Sequence, residues 1–195
     1  MRAAFSPWSE EEVERFLKVA GEEEGGAMYI FVLKTGMRMN EALALEWSDI
    51  DFTQGQVTIR NQISPGSSDI RTSRHSRTVP IASTLLSMLE KHLEKQKEMN
   101  HQNGHHYDQV FQTKEVGFQS ESFVQMKLKQ LIKKAGVGEK TFHGLRIMNA
   151  YLLYNKGVSV ELINERLGHR DIKSTLKLWG KVEGDLVSEQ RNPNN

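Results

Sequence analysis

The chain has 195 residues, of which 37% are hydrophobic and 26% charged, so it is long enough for one domain with a substantial core. It has no cysteine, which excludes disulfides, a thiolate zinc site and a cysteine nucleophile. Residues 1–51 carry five basic against eleven acidic side chains, whereas the remaining residues carry twenty-one against fourteen. This basic body permits an anionic partner such as nucleic acid.

The sequence contains no signal for a membrane location. No apolar run reaches the ~18 residues that a membrane-spanning helix needs, and we see no charged start followed by the apolar stretch of a leader. We therefore expect a cytoplasmic protein.

The first 51 residues predict three helices. Ser9 followed by three glutamates is typical of a capped helix start. Apolar residues then repeat at helical spacing, at Val13, Phe16, Leu17 and Ala20. Residues 27–33 form an apolar run that suits a buried helix ended near Gly36, and residues 40–45 predict a shorter helix.

The middle of the chain predicts a small antiparallel sheet. Residues 51–56 have turn chemistry, and apolar residues then alternate with polar ones, as a half-buried strand requires. The alternating residues are Val57, Ile59 and Ile63. Residues 64–68 predict a loop, and residues 70–81 suit either two short strands or one strand with an irregular turn.

Helical periodicity returns in the second half. The predicted helices are 82–97, 120–135, 143–155, 159–167 and 171 to about 179, with a loop at 100–108. The fold class is therefore α+β and mainly helical, with residues 1–8 as an N-terminal extension, 9–187 as one domain and 188–195 as a loose tail.

Four cationic residues lie at the ends of predicted elements. Arg38 follows a glycine between two helices, and His143 and Arg146 are three positions apart at a helix start, hence on one face. His169 follows a glycine that can end a helix. Guanidinium groups give bidentate bonds to phosphate oxygens, and an imidazole can donate to another, so this set suits a phosphate. Taken one at a time, each residue is more simply an ordinary helix-end charge or a corner histidine.

These residues lie in three of four motifs that occur in a fixed order. The motifs are TGMRMNEALALEWSDID at 35–51, SRTVPI at 76–81, HGLR at 143–146 and LGHRDIKSTL at 167–176. In this order and spacing the chain resembles the catalytic domain of the tyrosine recombinase or phage integrase family, from about residue 5 to residue 187. The resemblance implies the fold of that domain and an origin in a bacterium, a phage or another mobile element.

The resemblance also implies a function, namely cleavage and rejoining of double-stranded DNA in integration and site-specific recombination, without a metal or other cofactor. A tyrosine attacks a backbone phosphate and leaves a 3′-phosphotyrosyl link, while Arg38, His143, Arg146 and His169 hold and neutralise the phosphoryl centre. A lysine from the sheet hairpin protonates the leaving oxygen. Members can assemble as homo-oligomers on DNA.

Two positions depart from the family pattern. The tyrosine normally stands ten residues after the second histidine, where this chain has Trp179, and an indole N–H cannot form the covalent link. The lysine position falls near Arg71, with Arg74 a less suitable occupant, and an arginine is a poor proton donor because its pKa lies above ~12. We therefore expect impaired or lost catalysis.

Three functional hypotheses stay open. The first is a strand-transfer enzyme whose nucleophile comes from a neighbouring tyrosine or from another subunit. Tyr151 and Tyr154, on the helix after His143, suit a packing role. The second is a catalytically silent relative that binds DNA or a recombinase partner and regulates integration. The third is a helical interaction module without DNA contact, which the cationic set disfavours.

Other basic residues are candidates for DNA contact. They are Arg74, Arg77, Lys127, Lys133 and Lys134. Family members usually carry a separate DNA-clamping domain before the catalytic one, and we expect it to be absent from this chain, which makes binding weak and strongly salt-dependent. His101, His105 and His106 lack the spacing of a dedicated metal site, and none is predicted.

Overall fold

The computed structural model describes residues 6–64, 69–103, 108–112 and 120–168, with the backbone alone at residues 74, 75 and 103. Its helices are α1 (Glu10–Glu22), α2 (Ala27–Thr35), α3 (Met39–Leu43), α4 (Ser83–Asn103), α5 (Glu121–Ala135), α6 (Phe142–Asn155) and α7 (Val160–Leu167). Its strands are β1 (Ile50–Asp51), β2 (Gln56–Ile63) and β3 (Ile70–Pro80). The described part is thus mainly helical with one small sheet, as predicted.

Several predictions concern residues outside this part of the chain. These are the helix at 171–179, the tail at 188–195, most of the loops at 64–68 and 104–107, and the residues His105, His106, Tyr107, His169 and Trp179.

The start of α1 is fixed by a reciprocal cap. The Ser9 hydroxyl accepts a bond from the Glu12 amide at 3.2 Å, and the Glu12 carboxylate accepts one from the Ser9 amide at 2.9 Å. Trp8 packs on Phe16 with ring centroids 4.9 Å apart, and its indole N–H donates to the Gly138 carbonyl at 2.6 Å. Because Trp8 is only 3% exposed, it belongs to the core, and the predicted extension ends before it.

Helix α2 runs through the middle of the core. Six of its nine residues are buried, and it packs against α1, α4 and α6. The helix ends at Gly36, whose φ of +72° is a left-handed conformation that glycine adopts without strain. This turn directs the chain into α3.

The sheet is antiparallel, in the order β1-β2-β3. Val57 pairs with Val79 and both are fully buried, so this face of the sheet lies on the core. The register shifts between Ile59 and Asn61. These two residues are two positions apart on β2, whereas their partners, Arg77 and Thr72, are five positions apart on β3. Residues 70–80 therefore form one irregular strand, which was one of the two alternatives.

Helix α4 continues beyond the predicted end at residue 97. Gln96, only 4% exposed, accepts a bond from the Trp47 indole at 2.6 Å and donates to the Gln109 carbonyl at 2.8 Å. These contacts hold the polar part of the helix against the domain. The predicted loop at 100–108 was therefore wrong at its start, since the helix includes residues 100–103.

The last three described helices bring α7 next to α2. Serine or threonine side chains cap their starts, at Ser120, Thr141 and Ser159. Ile163 and Leu167 of α7 are fully buried in a small cluster with Ala150 of α6. This packing places the C-terminal end of α7 beside Gly36. No helix within the described ranges is long and apolar enough to cross a membrane.

Candidate functional site

Arg38 lies at the junction of α2 and α3, two residues after the Gly36 turn. Its Nη1 donates to Glu41 Oε1 at 2.8 Å, and its Nη2 donates to the Gly168 carbonyl at 2.9 Å. The side chain remains 39% exposed. Arg38 is therefore oriented on one side by the protein and open to solvent on the other.

Arg146 lies on α6 and is 2% exposed. Its Nη1 donates to the Gly36 carbonyl, and its Nη2 donates to the Leu167 carbonyl at 2.6 Å. Burial lowers the pKa of Arg146 to about 9, and the nearby positive charges of Arg38 and Arg77 act in the same direction. A guanidinium held in this way favours any anion that can reach it.

The two arginines meet although 107 residues lie between them in the chain. They donate to successive carbonyls, Leu167 and Gly168, at the C-terminal end of α7. Helix ends leave such carbonyls without intrahelical partners, and the helix dipole makes this end negative. His143, one turn before Arg146 on α6, is exposed. The structure thus brings Arg38 and Arg146 together, as predicted from their motifs.

Glu41 is a site residue that the sequence analysis missed. It is 1% exposed, and its carboxylate accepts bonds from the Arg38 amide at 2.8 Å as well as from the Arg38 side chain. Burial alone would raise the pKa of Glu41, but the bonds and charge of Arg77, with those of Arg38, lower it to about 2. The available signal was its place three residues after Arg38 at a helix start, where a carboxylate can bond back to the first residue.

Arg77 was predicted to contact DNA, and the structure places its side chain between Glu41 and the end of α7. Its Nη1 and Nη2 donate to Glu41 Oε1 and Oε2 at 2.9 and 2.8 Å, and its Nε donates to the Arg166 carbonyl at 2.7 Å. The side chain is 7% exposed. All three side-chain nitrogens bond within the protein, so Arg77 is joined to the site through Glu41, and its contact with DNA stays a prediction.

We call Arg38, Arg77 and Arg146 the arginine cluster. Arg71 and Arg74, the candidates for the proton-donor position, do not belong to it. Arg71 is exposed and pairs with Gln62, on the face of the ladder opposite to Ile63 and its partner Ile70. It lies opposite Gln62, whereas Arg77 lies opposite Ile59, so the two arginines are separated along the sheet by about three residues of β2, or about 10 Å. Only the backbone of Arg74 is described, and His169 and Trp179 lie outside the described residues.

The predicted lysines lie on α5, away from the arginine cluster. Lys127 is 3.5 Å from Glu23, and Lys134 pairs with the other oxygen of the same carboxylate. These ion pairs join α5 to the end of α1. Lys133 is exposed on the outer surface of α5. DNA contact by these lysines stays a prediction.

None of the three described tyrosines lies beside Arg38 and Arg146. Tyr29 is fully buried, and its hydroxyl donates to the Val124 carbonyl at 2.9 Å. Tyr151 packs against the core, and Tyr154 lies eight residues after Arg146, about 12 Å along the helix. Tyr107 is outside the described residues. Likewise, no group of three metal-ligating side chains occurs in the part of the chain that the structure describes.

In the described residues, the partly exposed Arg38 and the buried Arg146 thus meet at the end of α7, with Glu41 as the acidic partner of Arg38. Residues 8–181 match the model of the phage integrase family, and the chain belongs to that family. This confirms the resemblance that the four motifs indicated.

The curated relatives are recombinases and integrases. The chain is 28% identical to a tyrosine recombinase XerC-like protein of Caldanaerobacter subterraneus, over 90% of this chain and 50% of the relative. It is also 28% identical to the ICEBs1 integrase of Bacillus subtilis, with the same coverage. The chain therefore spans about half the length of these relatives.

Solved structures give the same fold. A XerA recombinase structure has a TM-score of 0.75 at 22% identity, covering 100% of this chain and 68% of that one. The Tn1549 transposon integrase in complex with transposon right end DNA has a TM-score of 0.76 at 17% identity, covering 91% and 62%. The predicted fold, that of a tyrosine recombinase catalytic domain, is confirmed.

Proposed function

We propose that this chain is the DNA-binding catalytic domain of an integrase-type recombinase, acting in DNA integration and recombination, with strand cleavage impaired at Trp179. Arg38 and Arg146 bind one backbone phosphate, and His143 and His169 complete its coordination. The observation that carries the proposal is the meeting of two guanidiniums from distant segments at the end of α7.

The charge of the site supports a phosphate ligand. The charges that act on Arg146 are two further guanidiniums, of Arg38 and Arg77, and one carboxylate, of Glu41. The cluster is thus left with an excess of positive charge in partly buried surroundings. A phosphodiester supplies the missing negative charge and presents oxygens that guanidinium N–H groups can bind as a fork.

The proposed reaction needs a nucleophile that this chain lacks at the expected position. In strand cleavage a tyrosine oxygen forms a bond to phosphorus as the bond to the 5′ oxygen breaks, and the leaving oxygen takes up a proton. Trp179 offers an N–H donor and no attacking oxygen. Arg71 falls near the position of the proton donor, and an arginine is a poor proton donor. Binding without turnover is the expected behaviour.

Replacement of Trp179 by Tyr tests the proposal directly. The purified chain, Trp179→Tyr and Trp179→Phe are each incubated with a pool of nicked duplexes that trap the covalent intermediate, and adducts are counted after denaturation. We expect an adduct for Trp179→Tyr alone. An adduct formed by the unmodified chain would show that another residue attacks, and would refute the impairment.

DNA binding is tested separately by fluorescence anisotropy with a 30-base-pair duplex across a salt series. Arg146→Ala should weaken binding about tenfold or more, because a charge-assisted bond is lost, and should lower the slope of log K against log salt by about one phosphate contact. Affinity that is independent of salt would refute phosphate binding.

The alternative function is that of a catalytically silent relative that binds a recombinase partner and regulates integration. Trp179 and Arg71 favour it, because they replace the nucleophile and the proton donor. It predicts that Trp179→Tyr stays inactive and that the unmodified chain inhibits a family recombinase in the same assay. The two functions therefore differ in the result of one substitution.

A further inference from the structure

Arg77 connects the phosphate-binding side of the site to the sheet. It projects from β3, and both terminal nitrogens bind the two oxygens of Glu41 in a bidentate arrangement. Glu41 Oε1 is shared with Arg38 Nη1 at 2.8 Å, and Oε2 is shared with the Arg38 amide at 2.8 Å. Arg77 therefore reaches Arg38 through one carboxylate.

Arg77 also contacts the end of α7. Its Nε donates to the Arg166 carbonyl at 2.7 Å, and a Cβ placed on Gly168 would lie 3.0 Å from Arg77 Cδ and Nη1. The next two carbonyls, Leu167 and Gly168, accept bonds from Arg146 and Arg38. Three successive carbonyls at one helix end thus accept from the three members of the arginine cluster.

We infer that Arg77 is a positioning residue, which holds Glu41 and the end of α7 so that Arg38 keeps its phosphate-binding orientation. The inference rests on the proposed function, since the ligand of Arg38 is taken to be a DNA phosphate. This role is distinct from the direct DNA contact that the sequence predicted for Arg77.

The reason is that a buried carboxylate is stable only when a positive charge neutralises it. With Arg77 in place, both Glu41 oxygens are occupied, and Arg38 contributes a single side-chain nitrogen to the carboxylate. Without Arg77, the 1% exposed carboxylate has only Arg38 to neutralise it among the groups that bond to it here. Arg38 then turns both terminal nitrogens toward Glu41, and its capacity to bind a phosphate falls.

The test measures duplex affinity and the Glu41 titration in four single variants of the full chain and in one double variant. Arg77→Met removes the fork, and Arg77→Lys keeps a charge that can bind one Glu41 oxygen. Arg38→Ala removes the proposed phosphate ligand. The matched control is Arg166→Met, because the Arg166 side chain also bonds backbone carbonyls, of Pro80 and Lys34, without bonding Glu41.

We expect Arg77→Met to weaken binding of a 30-base-pair duplex about tenfold, as the loss of one charge-assisted bond would. Arg77→Lys should recover part of this loss, and Arg166→Met should bind as the unmodified chain does. In the Arg38→Ala background, Arg77→Met should cause no further loss, since the two residues act on the same bond. Additive losses would overturn the inference, and so would unchanged affinity in Arg77→Met.

A second readout does not involve DNA and reports on the pairing of Arg77 with Glu41 itself. In ¹³C NMR titration, the Glu41 carboxyl should keep its low pKa in Arg166→Met and show a raised pKa in Arg77→Met, where Arg38 and Arg146 remain as the neighbouring charges. An unchanged Glu41 titration in Arg77→Met would overturn the inference. If Arg77→Met does not fold, the same comparison is made with Arg77→Lys, which should give a smaller rise.

The result that refutes the proposed function differs from the results that refute the role of Arg77. If Arg38→Ala binds DNA as tightly as the unmodified chain, Arg38 is not a phosphate ligand and the proposed function is refuted, whatever Glu41 does. If Arg38→Ala binds weakly while Arg77→Met binds normally, only the role of Arg77 is refuted.

Discussion

Neutralising Glu41 should destabilise the domain in a pH-dependent way. In the substitution Glu41→Gln, the amide keeps the size of the carboxylate but loses the charge that offsets Arg38 and Arg77. The carboxylate is 1% exposed and accepts bonds from both arginines, so the substitution leaves two guanidiniums without their acidic partner.

The magnitude follows from the pKa of Glu41, which is lowered from 4.5 to about 2 in the folded protein. A carboxyl whose pKa is lower in the folded state stabilises it above the unfolded pKa, and this contribution is lost as the pH falls toward the folded pKa. The shift corresponds to about 3 kcal/mol at pH 7. About 2 kcal/mol of this disappears between pH 7 and pH 3.

The assay is urea denaturation at pH 7, 5, 4 and 3, with the free energy of unfolding compared between the unmodified chain and Glu41→Gln. We expect a difference of about 3 kcal/mol at pH 7 that shrinks toward acid. The lowered pKa values of Glu12 and Glu23 affect both proteins alike and cancel. Glu14→Gln, on an exposed position of α1, is the control and should change stability by less than about 0.5 kcal/mol. A difference that stays constant from pH 7 to pH 3 would refute the reasoning.

Two further substitutions test the packing that supports the site. Gly36→Ala should lower the free energy of unfolding by about 2 kcal/mol or more, because φ is +72° and the new Cβ would lie 2.6 Å from Leu167 Cδ2. The melting temperature measures this loss, and an unchanged melting temperature would contradict the turn geometry. Trp8→Ala should lower the free energy of unfolding, measured by urea denaturation, by about 3 to 5 kcal/mol, since a 3% exposed indole and its bond to Gly138 are lost. A decrease of less than about 1 kcal/mol would place Trp8 outside the core.

Much of the fold could be predicted because its determinants are local. The helix starts at Ser120 and Ser159 are set by side chains that bond amides three residues away, and such signals are visible in sequence. The continuity of β3 was undecided because it depends on the register with β2, which sequence periodicity does not contain. The length of α4 was underestimated for a similar reason, since Asn100, beyond the predicted end, accepts a bond from the Gln112 side chain of a separate segment at 3.0 Å.

The site was predicted in part. Arg38 and Arg146 were paired through their motifs, and the structure brings them together. Arg77 was named only as a basic candidate for DNA contact, and its burial depends on Glu41, which lies 36 residues earlier in the chain. The Arg77–Glu41 ion pair joins distant segments and has no local signature, so it could not be predicted from sequence.

The anchoring of the arginine cluster explains how it remains available to an anion. Carboxylates orient guanidiniums well but cancel their charge, whereas carbonyl oxygens orient them and leave the charge in place. Here the three arginines bind three successive carbonyls at the end of α7, and the only carboxylate that they bond to in the described chain is Glu41. The negative end of the helix dipole offsets part of the repulsion among the arginines. Because one helix end positions all three, a substitution that displaces α7 should impair phosphate binding even where no arginine is changed.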